Sequence, residues 1–335
     1  MGRELGAREV TLFEACLAEY EKLCKQVDSL AEGAVLVERL PRFPWARIGL
    51  TPSSVMLILP PDGAVGLVQH DLEHIKIIPL RDFTAQDKTG THTESVTVVE
   101  TKSLDGWLVN AFFELVAMLF ESGVEQTPES IRELLDDLVN LFSALTRPAL
   151  KSLIGLWGEL FVIHQSKSVT DLVAAWHSTP QDKFDFAAGH ERVEVKSTTG
   201  VRIHNFAHAQ LAMPKGVRVT VASVILTPST EGATCTDLVQ LILARLPSGA
   251  HPKKFVDLVV RTLGEDWRRQ SGERYDLEQA QLSLRFYDAV NIPKVLEPIP
   301  REVSAVKYQS DLQAVPELLF SDLEPQDSLT RSVFR

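Results

Sequence analysis

Cysteine is scarce in this chain: there are three in 335 residues, Cys16, Cys24 and Cys235, and none stands in a Cys-x-x-Cys spacing. An odd count without paired spacing argues against a disulfide framework and against a thiolate zinc site, and leaves the three as small apolar side chains. No apolar run approaches the roughly 18 to 20 residues that a membrane-spanning helix needs, so no membrane partner is expected. The opening MGRELGAREV has no apolar signal region, and Gly6 stands where a myristoylation signal needs Ser or Thr. A cytoplasmic location is the expectation. Internal repeats and low-complexity segments are missing too. So is an excess of basic charge: 34 Lys and Arg face 45 Asp and Glu, for a net charge of -11. Polyanion binding rests on Lys and Arg, but local fields steer ligands more than totals do. Acidic segments such as EQTPESIRELLDD and FSDLEPQD can lie far from any site, so a nucleic-acid partner stays open.

What is present points to two packed modules. At 335 residues and 44% hydrophobic content, the chain is long for one core and has ample material for two. Leu12, Phe13, Cys16, Leu17, Tyr20 and Leu23 recur at helical spacing and predict a first helix. Between about 31 and 100, short runs such as SVMLILP, HIKIIPL and SVTVVETK alternate with Pro and Gly breaks, which predicts a meander of five or six strands. Two helices follow, LDGWLVNAFFELVAMLFESG and TPESIRELLDDLVNLFSAL, the second opening in helix-start order with Thr127, Pro128 and Glu129. These elements divide the chain into a β-rich module with a leading helix at 1–103 and a helical connector at 104–148.

A helix at RPALKSLIGLWGELFVIHQSK opens the next part. Strand-like pieces follow at 184–188, 192–198, 202–206 and 217–226, then a helix at TCTDLVQLILARLP, with QLSLRFYDAV as the final strand. This order describes an α/β domain over 149–290, α+β for the chain overall, and leaves 291–335 as a proline-dotted extension.

Within the domain, DKFDFAAGHERVEVKST, residues 182–198, carries the chemistry. Side chains on a strand alternate faces, so Glu194 and Lys196 share one face while Val193 and Val195 take the other. The turn at AAGHE lets Asp185 on the preceding strand meet Glu194 across a hairpin. Phosphodiester hydrolysis needs one or two Mg²⁺ ions (or Mn²⁺) held by a few carboxylates. Asp185 and Glu194 suit that role, and the backbone carbonyl of Val195 is a further oxygen ligand. Lys196 suits the orienting of a water and the offsetting of charge that grows on phosphate.

An acid on one strand and Glu-x-Lys on the next resemble the PD-(D/E)XK nuclease superfamily. That resemblance implies a restriction-endonuclease-like mixed-sheet core of a helix, three strands, a helix and a further strand, covering about 150–230 here. GLWGELFVI, AAWHSTPQDKFDF and VEVKSTTGVRIHNFAHAQL resemble more narrowly a bacterial group called PD-(D/E)XK motif proteins, associated with restriction and phage-defence gene clusters. The Pro-Asp dipeptide itself is not intact: Pro180 stands five positions before Asp185, and Phe184 directly precedes it. The resemblance implies that Glu159 completes the metal site and that Gln210 holds the lysine or the DNA backbone. The alternatives are a solvated helix residue for Glu159 and an ordinary polar helix opener for Gln210.

For DNA contact the basic candidates near the site are Lys183, Arg192, Arg202 and Lys215, and His177 at the mouth of the site is a phosphate contact. His204 and His208, four apart, read as ordinary residues because their segment begins strand-like. The leading expectation is a Mg²⁺-dependent DNA endonuclease in restriction or phage defence, homo-oligomeric because double-strand cutting with one site per chain calls for two copies, and partnered with a methyltransferase or an ATPase. The alternatives are a non-catalytic nuclease-fold subunit that docks DNA or partner proteins, and a structural ion pair in an unrelated α/β enzyme.

Overall fold

The computed structural model describes residues 10–334 apart from 28–29, 31–33, 62–67, 88–89, 178–181, 213–215, 248–251, 271 and 297. The chain divides into two compact units, Met1–Arg147 and Pro148–Arg335.

In the first unit, α1 (Leu12–Cys24) precedes β1 (Leu36–Leu40), β2 (Phe43–Leu50), β3 (Val55–Leu59), β4 (His70–Asp71), β5 (Ile75–Asp87) and β6 (Gly90–Thr101), and α2 (Gly106–Glu121) and α3 (Pro128–Ala144) close it. Thr11 begins α1 with a capping box: its hydroxyl accepts from Glu14 N–H, and the Glu14 carboxylate accepts from Thr11 N–H. The strands form one antiparallel sheet in the order β1-β2-β3-β6-β5-β4. Two meanders are thus joined at β3 and β6, where the sequence predicts a single meander. Pairing of Leu57 with Val99 and Ile58 with Val98 buries both strands, and an apolar pair of this kind contributes more at the sheet centre than at an edge.

The predicted connector is part of this unit. Helix α2 buries Leu108, Phe112, Phe113, Leu115, Val116, Leu119 and Phe120 and packs on α1 and β6. Each such side chain contributes about 1.5–3 kcal/mol on leaving water. An apolar α2 is therefore core, and the unit ends only after α3.

The second unit runs α4 (Leu153–Gln165), α5 (Val169–Ala175), β7 (Phe186–Ala188), β8 (Glu191–Thr198), β9 (Ile203–Ala207), α6 (His208–Leu211), β10 (Arg218–Ile225), β11 (Pro228–Ala233), α7 (Cys235–Leu243), α8 (Pro252–Leu263), α9 (Trp267–Gln270), α10 (Leu277–Ser283), β12 (Arg285–Asp288), β13 (Lys307–Asp311) and α11 (Ser328–Val333). Its main sheet has the order β12-β10-β8-β7, with β8 and β10 parallel and both flanking pairs antiparallel. This is the mixed sheet expected from the sequence. Helix α4 lies on β8 and packs against α7, α5 and α8. Its Trp157 stacks on Phe161 and donates its indole N–H to Ala233 C=O at 2.8 Å.

Two predicted boundaries shift. QLSLRFYDAV is the end of α10 followed by the short β12, because Asp276 caps a helix there by accepting from Gln279 N–H. The 291–335 segment is no extension. β13 pairs with β9, and Glu191 at the start of β8 accepts the N–H groups of Leu329 and Thr330 at the head of α11, at 2.8 and 2.9 Å. A buried carboxylate holding two helix-terminal N–H groups satisfies donors that have no partner inside the helix.

Candidate functional site

The site forms where α4, the bend before β7 and the middle of β8 meet. Ser152 caps α4 by accepting from Gly155 N–H at 3.2 Å, and Lys151 immediately precedes that cap. One turn further, Gly158 lets the helix approach β8: a Cβ there would lie 1.8 Å from Ser197 Oγ and 3.5 Å from Val195 Cγ1. Glu159 follows and is carried to the same sheet. Trp176 and His177, just past α5, run beside the bend. Trp176 bridges to Phe186, and His177 N–H donates to Asp185 C=O at 2.9 Å. That antiparallel contact brings an imidazole next to a carboxylate eight positions away.

Asp185 stands one residue before β7, in a bend rather than on the strand. Register pairs Phe186 with Val193, so Asp185 falls opposite Glu194, as the parity argument requires. Its Oδ2 accepts from Val195 N–H at 2.8 Å and its Oδ1 from Lys151 Nζ at 2.7 Å. The same ammonium donates to Glu159 Oε1 at 2.6 Å and lies 3.3 Å from His177 Nε2. The other Glu159 oxygen accepts Trp176 Nε1–H at 2.8 Å and lies 3.0 Å from His177 Nε2.

Glu194 and Lys196 extend from β8 beside this group, toward β9 and α6. Lys196 Nζ donates to Glu194 Oε1 at 2.7 Å and lies 5.1 Å above the Phe206 ring. Gln210 Nε2 donates to the same oxygen at 2.6 Å, while Gln210 Oε1 accepts Ala207 N–H at 3.0 Å. The second Glu194 oxygen is buried with no hydrogen-bond partner. The structure therefore sorts the carboxylates: Glu159 and Asp185 share Lys151, and Glu194 has Lys196 and Gln210.

All three acids are almost wholly buried, with 3%, 7% and 4% exposure for Glu159, Asp185 and Glu194. Burial, then the charges of Glu159 and Glu194, push the Asp185 carboxyl well above the usual carboxylate range, against the pull of Lys151. Burial also raises Glu194, which Lys196 opposes. Burial works the same way on Glu159, but its bond to His177 and the Lys151 charge outweigh it and lower its pKa. For Lys151, burial disfavours the ammonium, and the two carboxylates more than reverse that. Glu159 thus keeps its charge, and Asp185 is the easier of the two to protonate.

Ligand atoms of Glu159, His177 and Asp185 lie within 4.8 Å of one another. Two carboxylates and an imidazole are a donor set suited to a divalent cation, and the held ammonium shows that the pocket accommodates positive charge.

A family model described as "Putative PD-(D/E)XK family member, (DUF4420)" matches residues 56–313. The chain belongs to this family. No curated protein and no solved structure matches the chain. The matched stretch begins inside β3 and ends just past β13, so the family takes in much of the first unit and not only the 150–230 stretch that the motif resemblance covers.

Within this PD-(D/E)XK chain, the structure places Asp185, Glu194, Lys196, Glu159 and Gln210 in one neighbourhood. The converging donor set contains His177, however, where the sequence reading has Glu194 and Val195. Val195 ties the cluster to β8 through its N–H, donated to Asp185. His177 is no phosphate contact at a mouth: its side chain is 1% exposed, because the Trp176–Phe186 bridge draws it inward. Arg202 is a tie inside the fold, donating to Ser223 C=O and Oγ at 2.9 and 2.8 Å and to Ser283 C=O. Arg192 donates to Gly189 and Glu191 carbonyls beside its own strand, whereas Lys183 is exposed and leans over Phe184. Lys215 lies outside the described residues. His204 is buried against Ser223, and burial, with Lys196 and Arg202 nearby, lowers its pKa to about 4, so it stays neutral at physiological pH.

Lys151 was missed from sequence. Its signal is faint: a lysine just ahead of a Ser cap, on the helix whose apolar body carries Glu159.

Proposed function

We propose that the second unit is a divalent-metal-dependent DNA endonuclease, using Mg²⁺ or Mn²⁺ and acting in the cytoplasm in bacterial restriction or phage defence. The observation that carries this reading is the joining of Asp185 to the Glu194-x-Lys196 strand, through the Val195 N–H, in a chain of PD-(D/E)XK family. Glu159 and Asp185, with His177, would hold the cation. When bound, it polarises a phosphate oxygen and lowers the pKa of its water.

The rest falls to the chain. The Val195 N–H fixes the rotamer of Asp185, and Trp176 fixes that of Glu159, so both carboxylates are held in place before substrate arrives. Lys196, steadied by Glu194 and the Phe206 ring, presents an ammonium that orients the attacking water and offsets charge on the phosphate. Gln210 fixes the Glu194 oxygen that accepts from Lys196. Lys183 is an exposed cation beside this site for tracking the DNA backbone, and Arg192 a half-buried one. Two copies would cut both strands, with a methyltransferase or ATPase partner supplying specificity.

Plasmid cleavage with Mg²⁺ or Mn²⁺ tests the reading. The wild type should cut, and Lys196→Ala and Glu194→Ala should not. Equal cleavage by all three proteins would defeat the reading. One observation favours a second reading, a nuclease-fold subunit that docks DNA without cutting it: Lys151 already pairs with both Glu159 and Asp185 without metal. Calorimetry separates the two, since absence of Mg²⁺ or Mn²⁺ binding with DNA present supports the docking subunit.

A further inference from the structure

The motif chemistry uses one lysine, Lys196, and leaves the second unexplained. Lys151 Nζ is held at 2.6 Å by Glu159 Oε1, at 2.7 Å by Asp185 Oδ1 and at 3.3 Å by His177 Nε2. Those three residues are the ones whose ligand atoms converge within 4.8 Å. We infer that the Lys151 ammonium is a tethered placeholder for the divalent cation, standing between Glu159 and Asp185 and leaving when metal binds. This rests on the metal-dependent reading above and adds a control to it.

Three observations support the assignment. First, occupancy is exclusive. A divalent cation bonds carboxylate oxygens at roughly 2.0–2.6 Å, and Lys151 Nζ already stands between the two carboxylates at 2.6 and 2.7 Å, where a second cation would meet both its bulk and its charge. Second, a cation between the acids stabilises them whether or not metal is present. Two carboxylates this buried are costly to leave without compensation, so an ammonium that fills the position lets the metal-free chain fold with its site assembled. Third, Lys151 can leave. It sits in the irregular turn ahead of the Ser152 cap, outside α4, and its side chain is 19% exposed against 4% and 9% for its two carboxylate partners. The stem therefore runs toward solvent, and a swing about its own torsions frees the site without moving the helix.

The cost appears in metal affinity. A protein whose binding-competent form is a fraction of the total binds more weakly by that fraction. If Lys151 is out in fewer than about one molecule in ten, deleting its charge tightens binding by at least about tenfold. Mn²⁺ is the probe, since it suits carboxylate ligands as Mg²⁺ does.

The test is Mn²⁺ titration calorimetry on the full chain, comparing wild type, Lys151→Met and Asp185→Asn. The expected result is binding at least about tenfold tighter in Lys151→Met than in wild type, and loss in Asp185→Asn. Equal or weaker binding in Lys151→Met overturns the placeholder and leaves the metal reading standing. No binding by wild type or Lys151→Met sinks the metal reading and this inference with it. A second measurement uses only the wild type and so does not depend on the variant folding. Amine acylation of Lys151, read by mass spectrometry against the exposed Lys307, should accelerate several-fold when Mn²⁺ is added; an unchanged ratio also overturns the placeholder.

Discussion

Replacing Gly158 by alanine tests how the approach of α4 to β8 sets the site. On helix propensity alone the change should stabilise the chain by about 1 kcal/mol. The structure predicts the opposite sign. The added Cβ would lie 1.8 Å from Ser197 Oγ and 3.1 Å from Ser197 Cβ. The buried hydroxyl has to turn out of a packed position, and the Cβ, fixed to the strand, forces α4 and β8 apart by a few tenths of an ångström, so both atoms carry part of the cost. Overpacking of this kind costs about 1–3 kcal/mol, which leaves a net loss of up to about 2 kcal/mol after the propensity gain.

Ser197→Ala should recover part of that loss. It removes the close oxygen, and because this buried hydroxyl has no hydrogen-bond partner, its deletion alone should cost little. A double-mutant cycle should therefore show a favourable coupling of at least about 0.5 kcal/mol. Urea-dependent hydrogen exchange of α4 and β8 peptides, read by mass spectrometry, reports this unit separately from the first. Since Glu159 adjoins Gly158, Mn²⁺ affinity should weaken in Gly158→Ala and return in the double variant. A more stable Gly158→Ala protein, or a cycle with no coupling, would refute the packing argument.

Lys196→Arg should be as inactive as Lys196→Ala, because a planar guanidinium cannot replace a compact ammonium held between Glu194, Gln210 and the Phe206 ring; single-turnover cleavage should fall by about 10²-fold or more. Glu191→Ala should cost about 3–6 kcal/mol, since each N–H bond to a buried carboxylate contributes about 1.5–3 kcal/mol and two are lost; limited proteolysis should then remove the C-terminal segment, and unchanged resistance counts against the contact. The pH dependence has a definite sign. Asp185 has an ordinary value of 3.8 unfolded and a raised value folded, so above 3.8 the native state holds a proton that the unfolded chain has released. Stability therefore falls as pH rises through the folded value, and Asp185→Asn escapes this; urea unfolding at pH 5 and pH 8 should show wild type losing ground to the variant, and a constant difference would contradict the raised pKa.

Much of the site was legible because strand parity is a local property. Glu194 and Lys196 had to share a face, and Val193 and Val195 the other, whatever the strand packed against. The hairpin at Gly189 likewise set Asp185 opposite Glu194. The cap at Thr127 was legible for the same reason, since a side-chain oxygen three residues ahead of an N–H needs no distant partner. The connector was not legible, because apolar spacing identifies a helix without saying what covers it; α2 is buried on nearly every side by its own unit.

By itself, then, the sequence determined most of the elements and, through the parity of β8, the nearness of Asp185, Glu194 and Lys196, all consequences of backbone periodicity over a few residues. Only tertiary structure decided which carboxylates share a cation. His177 reaches Asp185 through a bridge between segments that are otherwise irregular, and Lys151 reaches Glu159 and Asp185 by the length and freedom of its own stem. Neither contact follows a period of two or 3.6, so no pattern along the chain records it. Both arise because three buried acids in one place attract whatever donors the fold brings within reach.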